Sequence, residues 1–320
     1  MLREVMDYYG VHRDFRHAGY FETEAQQHLS TALKTAIKQG QLIAVAGIVG
    51  SGKTTLLHRV QDELMREKEV LVARSLAVDK DRVELRPLIM ALFYDLATEK
   101  DVKIPTQPET RERQLLDLIS KRRKPIALFI DEAHALPGKT LTELKRLMEL
   151  VHQQGDRLAV ILAGHPKLQH DLRRPAMEEI GARASVFTLE GIKGYQRDYI
   201  LWLLAQCTDA SGEDVLTPKA VDTLAASLAT PLQVEQYLTL ALEAAYRAGQ
   251  KPVTPEIITS VLATSLDALE PTLARHGYKA RGSGTPACPA SGTSGVTPWA
   301  PAGRRVQALQ QELRAAGLPL

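Results

Sequence analysis

Residues 42–54 read LIAVAGIVGSGKT, and this stretch decides the fold. Its first five residues, Leu42 to Ala46, form a short apolar run of the kind found in strands buried inside parallel sheets. Residues 47–54 then match the pattern G-x-x-x-x-G-K-[ST], which requires a strand before it and a helix after it. Apolar residues at helical spacing between Leu56 and Leu64 supply that helix. The stretch therefore predicts an α/β domain with a phosphate-binding loop.

The glycines of this loop let successive backbone N–H groups turn toward an anion, and the start of the next helix adds partial positive charge. Lys53 can reach the β- and γ-phosphates of ATP, and the Thr54 hydroxyl can bind Mg²⁺. The predicted nucleotide-binding residues are Gly47, Ile48, Val49, Gly50, Ser51, Gly52, Lys53, Thr54 and Thr55.

A second buried strand, residues 126–130, ends at the acidic pair Asp131-Glu132. Asp131 is predicted to hold Mg²⁺ through water together with Thr54, and Glu132 to polarise the water that attacks the γ-phosphate. This pair favours ATP hydrolysis over phosphoryl transfer to a small molecule. Residues 131–134 also spell DEAH, a helicase string, but the helices and linker after the core do not resemble a second motor domain.

Two further residues are candidates for the catalytic site. His165 follows the apolar strand 158–162, where a polar side chain can contact the γ-phosphate or its water; the alternative is a structural histidine. Arg183 precedes the strand predicted at 185–189 and can extend from one subunit into a neighbour's nucleotide. Arg173 and Arg174 are rivals for that role, and a solvated surface arginine is the other alternative.

Strands alternate with helices over residues 41–190, which predicts a parallel sheet covered by helices on both faces. Threonine-proline pairs that start helices then replace the strand signals. In residues 281–303, 15 of 23 residues are Gly, Pro, Ser or Thr, which predicts a flexible linker. The predicted organisation is a helical lead-in (1–40), an ATPase core (41–190), an all-helical lid (191–268), and a flexible linker with a short C-terminal helix (269–320).

Composition points to a cytoplasmic protein with no membrane partner. No apolar run reaches the ~18 residues of a membrane span, and the 2 cysteines exclude a disulfide framework. The net charge of +2 results from a cancellation between two segments. Residues 191–270 contain 5 basic and 10 acidic residues, whereas residues 271–320 contain 6 basic residues and 1 acidic residue. Any DNA binding should therefore be local and sensitive to salt.

Two groups of basic residues are candidates for DNA contact. The first group is a basic run just before the strand at 126–130; its alternative role is to offset the dipole at the end of a helix. The second group lies on the helix after Glu132, where it could line the inner surface of a ring or filament. These residues are Lys121, Arg122, Arg123 and Lys124, then Lys139, Lys145 and Arg146.

The motifs GIVGSGKTT, LFIDEAHAL, ILAGHPKL and EEIGARASVFTLEG together resemble the AAA+ family. Within it the chain is most similar to the transposition-helper ATPases: the phage Mu B protein, the TnsC and TniB regulators and ExeA-like ATPases. The resemblance implies a homo-oligomer that forms with ATP on duplex DNA, marks the insertion target and recruits a transposase. One departure is Thr230-Pro231-Leu232-Gln233, which lacks the arginine that many AAA+ lids direct at the γ-phosphate.

Three other functions remain open. An ExeA-like secretion-assembly ATPase would be expected to carry a membrane-spanning and peptidoglycan-binding extension, which this sequence lacks. A helicase loader or replication initiator would bind a partner instead of selecting a target. A small-molecule kinase with a phosphate-binding loop is disfavoured by Glu132 and by the helical lid.

Overall fold

The computed structural model describes residues 1–74, 85–97, 106–209 and 212–264. These residues form two compact units, one from Glu22 to Gly191 and one that joins Met1–Phe21 to the chain from Ile192 onward. The predicted lead-in of residues 1–40 is thus divided between the two units. The predicted linker and C-terminal helix of residues 269–320 lie outside the described residues.

The chain contains five strands in its described part: β1 (Leu42–Gly47), β2 (Leu71–Arg74), β3 (Ile126–Ile130), β4 (Leu158–Gly164) and β5 (Ala184–Leu189). The helices named there are α1 (Arg3–Tyr9), α2 (Glu24–Lys38), α3 (Lys53–Glu67), α4 (Leu85–Leu96), α5 (Pro108–Arg122), α6 (Gly138–Gln153), α7 (Pro166–Leu172), α8 (Glu178–Gly181), α9 (Gln196–Cys207), α10 (Gly212–Val215), α11 (Pro218–Ser227) and α12 (Pro231–Arg247).

The strands form one parallel sheet in the order β2-β3-β4-β1-β5. In β1, Leu42 pairs with Ala184 and Gly47 pairs with Leu189, so β1 and β5 start and end together. Because the strands are parallel, the ends of β1, β3 and β4 meet at one edge of the sheet. This arrangement confirms the predicted α/β fold and brings the three predicted nucleotide motifs to the same edge.

Helices cover both faces of the sheet. Alternate residues of β4 point to opposite sides, with Val160 and Leu162 in one apolar cluster and Ala159 and Ile161 in the other. The first cluster includes buried residues of α4, α5 and α6, and the second includes buried residues of α2 and α3. The sheet is therefore buried on both faces, as its continuous apolar strands predict.

One predicted helix is shorter than expected. The apolar pattern predicts a helix over residues 167–179, but α7 ends at Leu172, and a short turn from Pro175 to Met177 precedes α8. The physical reason is Pro175, which has no N–H to donate within a helix and disfavours helical backbone at the residue before it.

The second unit is helical and is closed by its own core. Its α12 begins with the predicted capping box: the Gln233 N–H donates to Thr230 Oγ1 at 3.3 Å, and the Thr230 N–H donates to Gln233 Oε1 at 3.2 Å. In α1, the Tyr9 hydroxyl donates to the Gln250 carbonyl at 2.6 Å and joins the N-terminal helix to this unit. No helix in the part of the chain that the structure describes is long and apolar enough to cross a membrane.

Candidate nucleotide site

The phosphate loop joins β1 to α3 and depends on its glycines. A Cβ atom at Gly47 would lie 2.6 Å from Ser51 Oγ and 2.8 Å from the Leu189 carbonyl oxygen, so no side chain fits there. Gly52 precedes α3 with φ +93°, which is in the left-handed region that favours glycine. The loop therefore turns tightly at the end of β1 and directs the start of α3 toward any bound anion.

Lys53 lies in the mouth of this loop. Its Nζ donates to the carbonyls of Gly47 at 2.9 Å and Ile48 at 3.0 Å, and the residue is only 7% exposed. Burial lowers the pKa of Lys53, while the charges of Glu132 and Asp131 act in the opposite direction. A buried ammonium whose hydrogen-bond partners are neutral carbonyls is well suited to a phosphate, which supplies the missing negative charge.

Thr54 and Asp131 lie side by side although 77 positions separate them in sequence. The Thr54 hydroxyl donates to Asp131 Oδ2 at 2.7 Å, and the other carboxylate oxygen accepts the Glu132 N–H at 2.8 Å. A hydroxyl and a carboxylate are the hard oxygen donors that Mg²⁺ prefers, and Mg²⁺ usually takes its other ligands from water and phosphate. The described residues contain no cluster of three or more His, Cys, Asp or Glu that could hold a metal.

Glu132 has an unusual backbone conformation. Its φ is +54°, a left-handed value that costs a residue with a side chain about 1–2 kcal/mol. Its side chain is 48% exposed, and Oε2 lies 3.3 Å from Nδ1 of His134. Strain of this kind concentrates at functional sites, because the surrounding contacts must enforce it.

His165 lies at the end of β4 and precedes the first residue of α7. Burial is the largest influence that lowers the pKa of His165; electrostatic interactions with His134 and Lys53 lower it further, and the one with Glu132 opposes them. The rings of His134 and His165 are 5.9 Å apart. The structure thus brings His165 together with Lys53, Glu132 and His134, a residue that the sequence reasoning missed as a site residue. Its signal was the last letter of DEAH, considered only as a helicase string.

The structure does not bring Arg183 to the phosphate loop of its own chain. Arg183 precedes β5 at the opposite edge of the sheet, and the paired strand β1 separates the two edges by about 16 Å at about 3.3 Å per residue. There its guanidinium pairs with Glu149, whose Oε1 also lies 3.4 Å from Nζ of Lys145. Lys145 pairs in turn with Glu179. A cavity of about 370 Å³ adjoins this group and is lined in part by Arg183, Lys145 and Glu149.

The basic run at the end of α5 is partly engaged by its own chain. Arg122 donates to the carbonyl of Leu96, and Nζ of Lys124 donates to the carbonyl of Lys68 at 2.9 Å. Lys121 and Arg123 are exposed. These exposed cations are the members of the run best placed to contact phosphate.

The second basic group, on α6, differs in exposure from one residue to the next. Lys145 is only 13% exposed and is held by Glu149 and Glu179, so its charge is already compensated within the chain. Lys139 is 86% exposed and lies 3.8 Å from Glu143, and Arg146 is exposed. Glu149 is four positions after Lys145 on the same helix, whereas Glu179 is 34 positions away and meets Lys145 only through the tertiary structure.

Residues 36–172 match the model of the AAA domain family. The chain is 26% identical over 209 residues to general secretion pathway protein A of Aeromonas hydrophila, a match that covers 63% of this chain and 36% of that protein. It therefore spans about a third of the length of this curated relative.

Two solved structures have a similar fold. Cdc6p from Pyrobaculum aerophilum gives a TM-score of 0.54 at 18% identity, over 75% of this chain and 66% of that one. The Drosophila ORC structure bound to DNA gives a TM-score of 0.53 at 15% identity, over 92% of this chain and 74% of that one. At these identities the likeness shows the fold alone. Residues 36–172 thus match the AAA domain family, and the chain has a fold similar to that of these two structures.

Proposed function

We propose that this AAA+ ATPase hydrolyses ATP to ADP and phosphate in a homo-oligomer on duplex DNA, and regulates a transposase. The observation that carries the hydrolytic part is the pairing of Thr54 with Asp131 at 2.7 Å, with Glu132 next in sequence and Lys53 in the loop above. Binding, metal and base functions would then lie at one edge of one sheet.

Each residue has one task in the proposed reaction. The backbone of the loop and Lys53 bind the β- and γ-phosphates, and Thr54 and Asp131 hold Mg²⁺. Magnesium, when bound, neutralises charge on the phosphates. Glu132 accepts a proton from the attacking water, and His165 contacts the γ-phosphate or that water.

Assembly supplies the remaining charge. Arg183 is at the edge of the sheet away from its own phosphate loop, so we assign it to the nucleotide of a neighbouring copy. A contact between opposite edges of identical subunits is head-to-tail, and such contacts generate closed rings or helical filaments. Hydrolysis would then depend on protein concentration, because an isolated subunit lacks this arginine at its nucleotide.

The DNA part of the proposal rests on the family resemblance and on exposed cations. Lys121, Arg123, Lys139 and Arg146 are exposed, and an assembly would repeat them along its length. Repeated phosphate contacts give salt-dependent binding even when each subunit is nearly neutral. The same fold occurs in Drosophila ORC bound to DNA, so the fold is compatible with this use. Target selection and recruitment of a transposase follow from the resemblance.

A second candidate is a secretion-assembly ATPase. It is favoured by the 26% identity to general secretion pathway protein A of Aeromonas hydrophila. This candidate requires the same ATP chemistry and the same head-to-tail assembly, but it does not require DNA. DNA dependence therefore separates the two.

The test is electron microscopy and sedimentation of the protein with ATP, with and without duplex DNA. We expect rings or filaments that depend on DNA and weaken between about 50 and 200 mM salt. The double variant Lys139→Glu/Arg146→Glu should lose DNA-dependent assembly. Lys219→Glu, an exposed charge reversal in the helical unit, should behave like the wild type. Identical assembly and ATPase rates without DNA would contradict the DNA function and favour the secretion candidate.

A further inference from the structure

We propose that His134 is a positioning residue that orients the carboxylate of Glu132 and links it to the end of β4 at His165. The proposal rests on the proposed role of Glu132 as the base. It assigns a function to the last residue of the DEAH string, which has no task in the reaction proposed above.

The backbone of His134 is fixed by close packing. His134 lies in a single turn, Ala133–Ala135, that directly follows Glu132, and Ala133 is buried. A Cβ atom at Gly164, near the end of β4, would lie 3.0 Å from the His134 backbone nitrogen and 3.3 Å from the His134 Cβ. The turn therefore packs directly on the end of β4, and a side chain at position 164 would push the turn or Leu168 back by a few tenths of an ångström.

The ring nitrogen Nδ1 of His134 faces a donor and an acceptor at once. It lies 3.3 Å from Oε2 of Glu132 and 3.4 Å from the backbone nitrogen of His165. Without a hydrogen, Nδ1 can accept from the His165 N–H; with a hydrogen, it can donate to Glu132. Because Nδ1 cannot accept and donate at the same time, a hydrogen bond to Glu132 and a hydrogen bond from His165 exclude each other.

Glu132 needs such a partner. The side chain of Glu132 is 48% exposed. Within the described residues, His134 supplies the polar side-chain contact to the Glu132 carboxylate. When Nδ1 donates to Oε2, that oxygen is held and Oε1 remains free for the attacking water. A base held in one orientation is more effective than one that samples many.

The same geometry connects the base to the γ-phosphate. His165 is near enough to Lys53 and Glu132 for their charges to act on its ring, and it is our candidate for contact with that phosphate. Because the donor to Nδ1 is the backbone N–H of His165, a shift of the His165 backbone toward the phosphate, and not a rotation of its ring alone, releases Nδ1 to donate to Glu132. The base would thus be oriented when the γ-phosphate is in place.

The experiment compares three variants for kcat and for the KM of ATP. His134→Ala should lower kcat about tenfold, equal to ~1.4 kcal/mol in the barrier, and leave KM within about twofold. His134→Asn should keep kcat within about threefold of the wild type, because its amide can donate to Glu132 and accept from His165 together. His170→Ala removes an exposed histidine of α7 and is the matched control.

The outcomes separate this proposal from the proposed function. Wild-type kcat in His134→Ala would overturn the positioning role, and so would equal losses in the Ala and Asn variants when both bind ATP and keep the melting temperature. If only His134→Asn folds, a loss beyond tenfold in that variant overturns the proposal, and retained kcat supports it. Wild-type hydrolysis by Glu132→Gln would instead overturn the base assignment, and this proposal with it. An inactive Glu132→Gln beside a normal His134→Ala would remove His134 alone.

Discussion

The two edges of the sheet hold their charged residues in different ways. At the carboxyl edge, Lys53 is buried and Thr54 contacts Asp131 directly, so one chain forms the contacts by itself. At the amino edge, the Arg183 side chain is 59% exposed and is paired with Glu149 in contact with solvent. An exposed ion pair contributes only about 0–1 kcal/mol and is easily exchanged for another.

This difference indicates how the proposed reaction is divided between subunits. At the carboxyl edge, the buried Lys53 and the direct hydrogen bond between Thr54 and Asp131 are formed within one chain, and they suit permanent tasks such as phosphate and metal binding. The exposed arginine at the amino edge suits a task that begins only when another subunit arrives.

The largest effect is expected for Arg183→Ala. Loss of a charge that stabilises the transition state from a neighbouring subunit should lower kcat about 10³-fold at protein concentrations that support assembly. Nucleotide affinity of the isolated subunit should not change, because Arg183 is remote from its own loop. Steady-state ATPase assays and fluorescent nucleotide binding would measure the two quantities.

Arg66→Ala, an exposed arginine in the last turn of α3, is the control for this variant. Wild-type rates in Arg183→Ala at high protein concentration would refute its action in trans. Arg173→Ala and Arg174→Ala would then identify which of the neighbouring arginines acts instead.

Glu132→Gln should lower kcat by about 10²-fold or more, because the amide cannot accept the proton of the attacking water. The affinity for ATP should be retained, since Lys53, Thr54 and Asp131 are unchanged. Mixing this variant with Arg183→Ala sharpens the comparison of the two edges. Mixed oligomers pair an intact carboxyl edge of one chain with an intact amino edge of the other, and should recover part of the activity; no recovery would contradict a shared site.

The smallest effect is expected for Glu149→Gln. This change frees the Arg183 guanidinium while Lys145 keeps its contact with Glu179. The protein concentration at half-maximal ATPase should fall by about two- to fivefold, the factor that corresponds to an exposed ion pair. Glu143→Gln, the same substitution on the same helix, removes a carboxylate that pairs with Lys139 and should change nothing in the absence of DNA.

A concentration dependence unchanged by Glu149→Gln would mean that this pair does not restrain Arg183. If Glu149→Gln shifted the protein concentration at half-maximal ATPase equally in the Arg183→Ala background, the effect would arise from Lys145 and not from Arg183.

Prediction from sequence worked best where chemistry and local order coincide. Residues 47–54 form a contiguous loop whose glycines and lysine have a single known use, and Asp131-Glu132 ends an apolar strand. The pattern missed Pro175 as the end of a helix, although its effect on the backbone is general. The sequence pattern also placed Lys145 among the candidates for DNA contact, because the carboxylate of Glu179 approaches it only through tertiary contact.

The fold class, the phosphate loop and the acidic pair follow from the order of residues along the chain, because each depends on sequence neighbours. Only the tertiary structure brought Thr54 to Asp131, put His134 between Glu132 and His165, and put Arg183 at the far edge of the sheet. Those facts depend on strand order and register, which bring together residues far apart in sequence. The strand order also makes the end of β4 a neighbour of both β1 and β3, and so creates the contact on which the proposed orientation of Glu132 depends.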